Sequence, residues 1–175
     1  MLAQKVAITG FMCSGKTTVA RALGQLLGCN VIDLDEAIRI SEGLTAGQII
    51  EQNGENAFRE SETRVLTRLL SRQDGSVISL GGGTWTLEEN RRLLAEHRYR
   101  TVWLDAPFEL CWKRIEEQAG TRPLADSYEV AKQLYQDRLN VYELSHFRYA
   151  VTGVNTSEEI ARGIDALVFR DRENS

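Results

Sequence analysis

Gly10-Phe11-Met12-Cys13-Ser14-Gly15-Lys16-Thr17 fits the pattern G-x-x-x-x-G-K-[ST], and its flanks decide how it is read. Val6-Ala7-Ile8-Thr9 ahead of it is β-rich and mostly apolar, as a strand buried on both faces must be. Val19, Ala22, Leu23, Leu26 and Leu27 behind it recur at helical spacing. Strand, loop and helix in that order predict a phosphate cradle. Its glycines let the loop curl so that backbone N–H groups point inward at phosphate oxygens, along a stretch comprising Cys13, Ser14, Gly15, Lys16, Thr17 and Thr18. Lys16 is placed to reach the outer phosphates, and the Thr17 hydroxyl to ligate Mg²⁺. The sequence therefore predicts that the chain binds a nucleoside triphosphate.

Length and charge narrow the setting. A chain of 175 residues suits a single domain over 1–175, large enough to bury about 70 % of the surface its unfolded form exposes. The net charge of −4 lacks the basic excess of a nucleic-acid surface, so any anion site must be local. Cys13, Cys29 and Cys111 form no C-x-x-C pair and leave an odd count, which fits a reducing, cytoplasmic setting. Gln4 and Lys5 interrupt any signal-peptide core, and no later run approaches a membrane span. Small molecules are the expected partners, with neither nucleic acid nor membrane among them, and the chain is expected to act as a monomer.

Further strands are expected at Asn30 to Asp33, Val77 to Leu80, Thr101 to Asp105 and Tyr149 to Thr152, with helical patterns between them. Glu36 to Glu42 reads as a short helix ended by Gly43. Thr45-x-x-Gln48 is a capping box that opens another, and Asn53-Gly54 closes it. From about Asn56 a longer helix carries Phe58, Leu66, Leu69 and Leu70 on one stripe. Pro107 suits the start of a helix that runs through Leu110, Cys111 and Ile115 to Gly120. Thr156-x-x-Glu159 caps a last helix with Ile160, Ile164, Leu167 and Val168 inward, and the polar tail from Arg170 to Ser175 is expected to fray. This alternation predicts a three-layer α/β/α fold around a central five-stranded parallel sheet, with the site at the carboxyl ends of the strands.

Four constellations lie at such ends or near them. Asp33-Leu34-Asp35 closes the second strand; on extended backbone, residues two apart face the same way, so two carboxylates would share one site. One would serve Mg²⁺ and the other an attacking hydroxyl, unless the pair is only a turn with a helix cap. Arg59 and Glu62 sit three apart on a helix: either an ordinary surface pair, or a carboxylate holding a guanidinium fork toward an anionic substrate. Gly81-Gly82-Gly83 follows a strand directly, which marks either a turn or backbone passing very close to a ligand. Gly120-Thr121-Arg122-Pro123-Leu124 lies in a polar stretch, about 116–128, that reads as a lid, with Arg122 placed to act on a transferring phosphoryl group. Arg138, four residues before Tyr142 on a helix, is a second clamp or an exposed arginine. Trp85, Trp103 and Trp112 read as core or pocket wall, and His97 and His146 lack metal-ligand spacing.

In this order the motifs resemble the shikimate kinase family, small P-loop kinases that phosphorylate the 3-hydroxyl of shikimate with MgATP, and the resemblance covers almost the whole chain. It implies the following roles. Lys16 and Thr17 serve the phosphates and Mg²⁺, Asp33 stands in the metal's outer shell, and Asp35 is the candidate base on the acceptor hydroxyl. Arg59 and Arg138 hold the shikimate carboxylate with Glu62 bracing Arg59, and the backbone of Gly81, Gly82 and Gly83 meets the ring hydroxyls. Arg122 closes over ATP and Arg114 packs on the adenine; the acceptor region spans about 35–62. A gluconate-type or nucleoside-monophosphate-type kinase, or a nucleotide-binding module without chemistry, are the rival readings. Two positions depart from the family pattern: Cys13 and Asn140 stand where glycine and proline are usual.

Overall fold

The computed structural model describes residues 5–71, 76–118 and 127–169. Five strands, β1 (Lys5–Thr9), β2 (Asn30–Asp33), β3 (Ser76–Ser79), β4 (Arg100–Asp105) and β5 (Phe147–Ala150), form one sheet in the order β2-β3-β1-β4-β5. Every neighbouring pair is parallel. Consecutive residues of β1, β3 and β4 are buried although successive side chains point to opposite faces, so helices cover both sides. These are α1 (Lys16–Leu27), α2 (Leu34–Glu42), α3 (Ala46–Leu70), α4 (Glu88–Glu96), α5 (Phe108–Glu117), α6 (Tyr128–Tyr142) and α7 (Ser157–Phe169). The three-layer α/β/α architecture is thus the one the alternating pattern predicts.

The chain leaves β1 to one side for β2 and β3, then crosses to the other for β4 and β5. That reversal opens a crevice at the carboxyl end of β1, where the phosphate loop lies. The predicted caps are present: Thr45 and Gln48 bond each other's backbone in a capping box, and Thr156 and Glu159 do the same. Helix α3 is interrupted at Gly54, whose φ of 87° and ψ of 165° belong to no helix, so the two helices expected around Asn53-Gly54 stand end to end.

Two expectations need correction. β5 is Phe147–Ala150 and not Tyr149 to Thr152, because its register is set by β4, Val102 opposite Phe147 and Asp105 opposite Ala150. The N–H of Val151 still donates to Asp105 O at 2.8 Å, so the pairing outlasts the strand by one bond. The second correction concerns Asp33-Leu34-Asp35. The strand stops at Asp33, whose carboxylate accepts from Glu36 N at 3.1 Å as the N-cap of α2, and the helix starts at Leu34 and not at Glu36. Asp35 is therefore in the first helical turn, and strand alternation is not what brings it to the site. The tail 170–175 and the stretch 119–126, which holds most of the expected lid, lie outside the described residues. Among those described, no helix is long and apolar enough to cross a membrane.

Candidate active site

A cavity of about 420 Å³ runs along the carboxyl edge of the sheet. Cys13, Ser14, Gly15, Lys16, Thr17 and Thr18 form its floor, Asp35, Ser79 and Gly82 one end, and Arg114, Gln118 and Asn155 the other. Lys16 is nearly buried and its ammonium donates to Phe11 O at 2.8 Å, across the loop it would offer to phosphate. The Ser14 hydroxyl is buried with no hydrogen-bond partner among the described residues. A buried polar atom left so is costly unless something binds there.

The Thr17 hydroxyl donates to Asp33 Oδ2 at 2.6 Å and lies 3.3 Å from the Ser79 hydroxyl. Ser79 stands directly opposite Asp33 in the β2 and β3 register, so two neighbouring strand ends and the first turn of α1 deliver three oxygens to one point. An all-oxygen set with one carboxylate suits Mg²⁺, which is held by one or two carboxylates together with substrate phosphates. Among the described residues, no cluster of three or more His, Cys, Asp or Glu side chains offers a dedicated metal cage.

Cys13 holds a φ of 58°, in the left-handed region that disfavours any side chain. Its carbonyl accepts from Arg114 Nη1 at 3.0 Å and its thiol contacts Gln118 Oε1 at 3.4 Å, so the end of α5 is tied to the loop. Arg114 thereby lines the cavity beside the loop. Cys13→Gly relieves the backbone, and we expect it to raise the unfolding free energy by about 0.5–1 kcal/mol in urea titration, after the entropy of the unfolded glycine is subtracted. A loss of stability would mean that the Gln118 contact outweighs the strain.

The end of the site beyond β3 is built around the three glycines. None of Gly81, Gly82 and Gly83 has positive φ, so turn geometry does not explain them; close approach explains Gly81 and Gly83. A Cβ on Gly81 would lie 2.8 Å from Glu62 Oε1 and 3.0 Å from Asp35 Oδ1. One on Gly83 would run into the Arg59 guanidinium, and one on Gly82 would meet Met12 N and Arg138 Nη1 at 3.4 and 3.5 Å, ordinary contact distances. The strand end thus brings Asp35, Glu62, Arg59 and Arg138 to one place.

Arg59 and Glu62 are no surface pair. Arg59 Nη1 donates to Glu62 Oε2 at 2.8 Å, Glu62 is fully buried, and the Thr84 hydroxyl donates to its other oxygen. Burial pushes the Glu62 carboxyl above the usual carboxylate range; Arg59 and Thr84 pull it back, and nearby Asp35 adds to the upward push. Arg59 has a second, more exposed carboxylate in Glu55 at 3.1 Å. Arg138 differs: it is 7 % exposed and makes no ion pair with any described residue. A buried guanidinium without a counter-ion is an anion site in waiting. Ser79 and Thr84 are the members that the sequence reading missed; each is a lone hydroxyl whose only signal is its place beside the glycine triplet. Arg122 lies outside the described residues.

A parallel sheet with a phosphate loop after its central strand, and an acceptor pocket beside that loop, define a P-loop small-molecule phosphotransferase. The sequence model described as shikimate kinase matches residues 12–167. A shikimate kinase of Ruegeria pomeroyi is 37 % identical, with 97 % of this chain and 87 % of that protein covered. One of Aquifex aeolicus is 34 % identical over 91 % of this chain and 93 % of that protein. The solved structure of shikimate kinase from Acinetobacter baumannii in complex with shikimate superposes with a TM-score of 0.88 at 33 % identity, covering 97 % of this chain and 95 % of that one. The chain belongs to the shikimate kinase family.

Proposed function

We propose that the chain transfers the γ-phosphoryl group of ATP to the 3-hydroxyl of shikimate. The observation that carries this reading is Arg138, a buried cation with no counter-ion among the described residues, set against Gly82 with Arg59 against Gly83, where Gly82 itself lines the cavity that holds the phosphate loop. Shikimate brings a carboxylate, which two guanidinium groups grip, and a ring of hydroxyls that suits the backbone of Gly81 to Gly83. Gluconate and nucleoside monophosphates also carry anionic groups, but they do not pair one carboxylate with a rigid polyol ring.

Lys16 exchanges its bond to Phe11 O for the outer phosphates, and the loop N–H groups from Cys13 to Thr18 hold them. Thr17 and Asp33 would hold Mg²⁺, which would supply positive charge against the phosphates. Arg114 flanks the nucleotide at the far end of the cavity. Asp35, exposed at the start of α2 and lining the cavity, accepts the proton of the attacking hydroxyl. Glu62 and Thr84 keep the Arg59 fork turned toward Gly83. Most of the rate then comes from positioning and from stabilised charge. The setting that goes with this reading is a monomer in the cytoplasm, a compartment that suits the three free thiols.

ADP release from MgATP, measured side by side with shikimate, quinate, gluconate and nucleoside monophosphates, tests the proposal. Turnover is expected with shikimate and at most weakly with the others. Preference for another acceptor would reassign the substrate, and silence with all of them would leave a nucleotide-binding module.

A further inference from the structure

Tyr142 ends α6 one turn after Arg138 and is fully buried. Its hydroxyl donates to Gly82 O at 2.6 Å, and the Arg138 guanidinium lies beside the same hydroxyl. Its ring stacks on Trp103 with centroids 5.9 Å apart and an interplanar angle of 29°. Close by, the Trp85 indole donates to Val141 O at 2.9 Å, so two bonds tie the glycine segment to a single turn of α6. Burial pushes the phenol up to about 12, which keeps the hydroxyl a donor throughout the working pH range.

The bond falls on one particular peptide. Gly82 O belongs to the unit that also carries Gly83 N–H, and in a trans peptide these two groups point in opposite directions. A carbonyl held by Tyr142 therefore turns the Gly83 N–H away from α6. The same unit spans the gap between the arginines: Arg138 Nη1 lies against Gly82 and the Arg59 fork against Gly83. Glycine backbone has no side chain to hold such a tilt, so a tether from outside must supply it.

We propose that Tyr142 is a positioning residue for the acceptor: its hydroxyl fixes the tilt of the Gly82–Gly83 peptide between Arg138 and Arg59, and thereby the geometry in which a hydroxylated carboxylic acid is gripped. This rests on the functional reading given above. Tyr142 makes this bond to no residue of the phosphate loop, so the larger effect is expected on the acceptor.

Tyr142→Phe removes the hydroxyl and keeps the ring stacked on Trp103. The KM for shikimate should rise about tenfold, the KM for ATP should stay within about twofold, and the Kd for shikimate alone, measured by calorimetry, should weaken in parallel with the first. Trp103→Phe loosens the same stack but leaves the hydroxyl; it should lower Tm without moving the shikimate KM. An active wild type beside a Tyr142→Phe variant whose two KM values are unchanged, or rise together, would overturn this inference and leave the functional reading intact. A wild type that releases no ADP with shikimate would overturn both.

Discussion

Asp35→Asn lowers kcat by about two to four orders of magnitude while the KM for shikimate stays within a few-fold. The amide keeps the size and the hydrogen-bonding reach of the carboxylate but cannot take a proton. Asp35 is exposed on the first turn of α2, where the free N–H groups favour a negative charge, and its Oδ1 comes within 3.0 Å of where a Gly81 side chain would be. Replacing it should leave the fold intact, since its neighbour Asp33 caps the helix. Steady-state kinetics with shikimate as the varied substrate provides the measurement. A variant that keeps more than about a tenth of the wild-type kcat would remove Asp35 from the proton path.

The two arginines should separate in their effects on stability. On the proposed roles, both Arg59→Met and Arg138→Met remove a charged contact to the acceptor carboxylate, and each should raise the shikimate KM by about 10- to 100-fold. Arg59→Met also strands Glu62, fully buried, without its main counter-charge, and so should lower the unfolding free energy by about 3 kcal/mol. Arg138→Met strands no carboxylate, since Arg138 makes no ion pair with any described residue. Its stability should hold or rise. Urea titration of the two variants checks this, and equal losses would show that Arg138 is compensated in the free protein after all. Adding Glu62→Gln to Arg59→Met should return part of the lost stability, because no buried charge then remains unpaired.

What the sequence disclosed follows from how local each signal is. The phosphate loop is eight consecutive residues, and it lies between β1 and α1 as its flanks predict. Capping boxes at Thr45 and Thr156 are equally local and equally correct. Asp35 was reached through strand alternation, yet the residue belongs to a helix; the proximity was right and the geometry behind it was not. Arg59 and Glu62 show another limit, because an i, i+3 pair has the same pattern whether water or the glycine triplet lies over it. Ser79 and Thr84 carry no pattern at all. Ser79 meets Thr17 only because β2 and β3 pair with Asp33 opposite Ser79, a fact of register between segments more than forty residues apart.

Each glycine of the triplet abuts a different working side chain: Gly81 meets Glu62 and Asp35, Gly82 meets Arg138, and Gly83 meets Arg59. On the proposed roles, this wall is therefore closed to gradual change at Gly81 and Gly83. A side chain grafted onto Gly81 or Gly83 displaces Glu62, Asp35 or Arg59 before it reaches a new substrate, whereas a Cβ on Gly82 meets its neighbours at ordinary contact distance. A lineage or a designer seeking a different acceptor has to remodel elsewhere, and Met12 of the phosphate loop borders the cavity. The innovation would have to come from the nucleotide's side of the pocket.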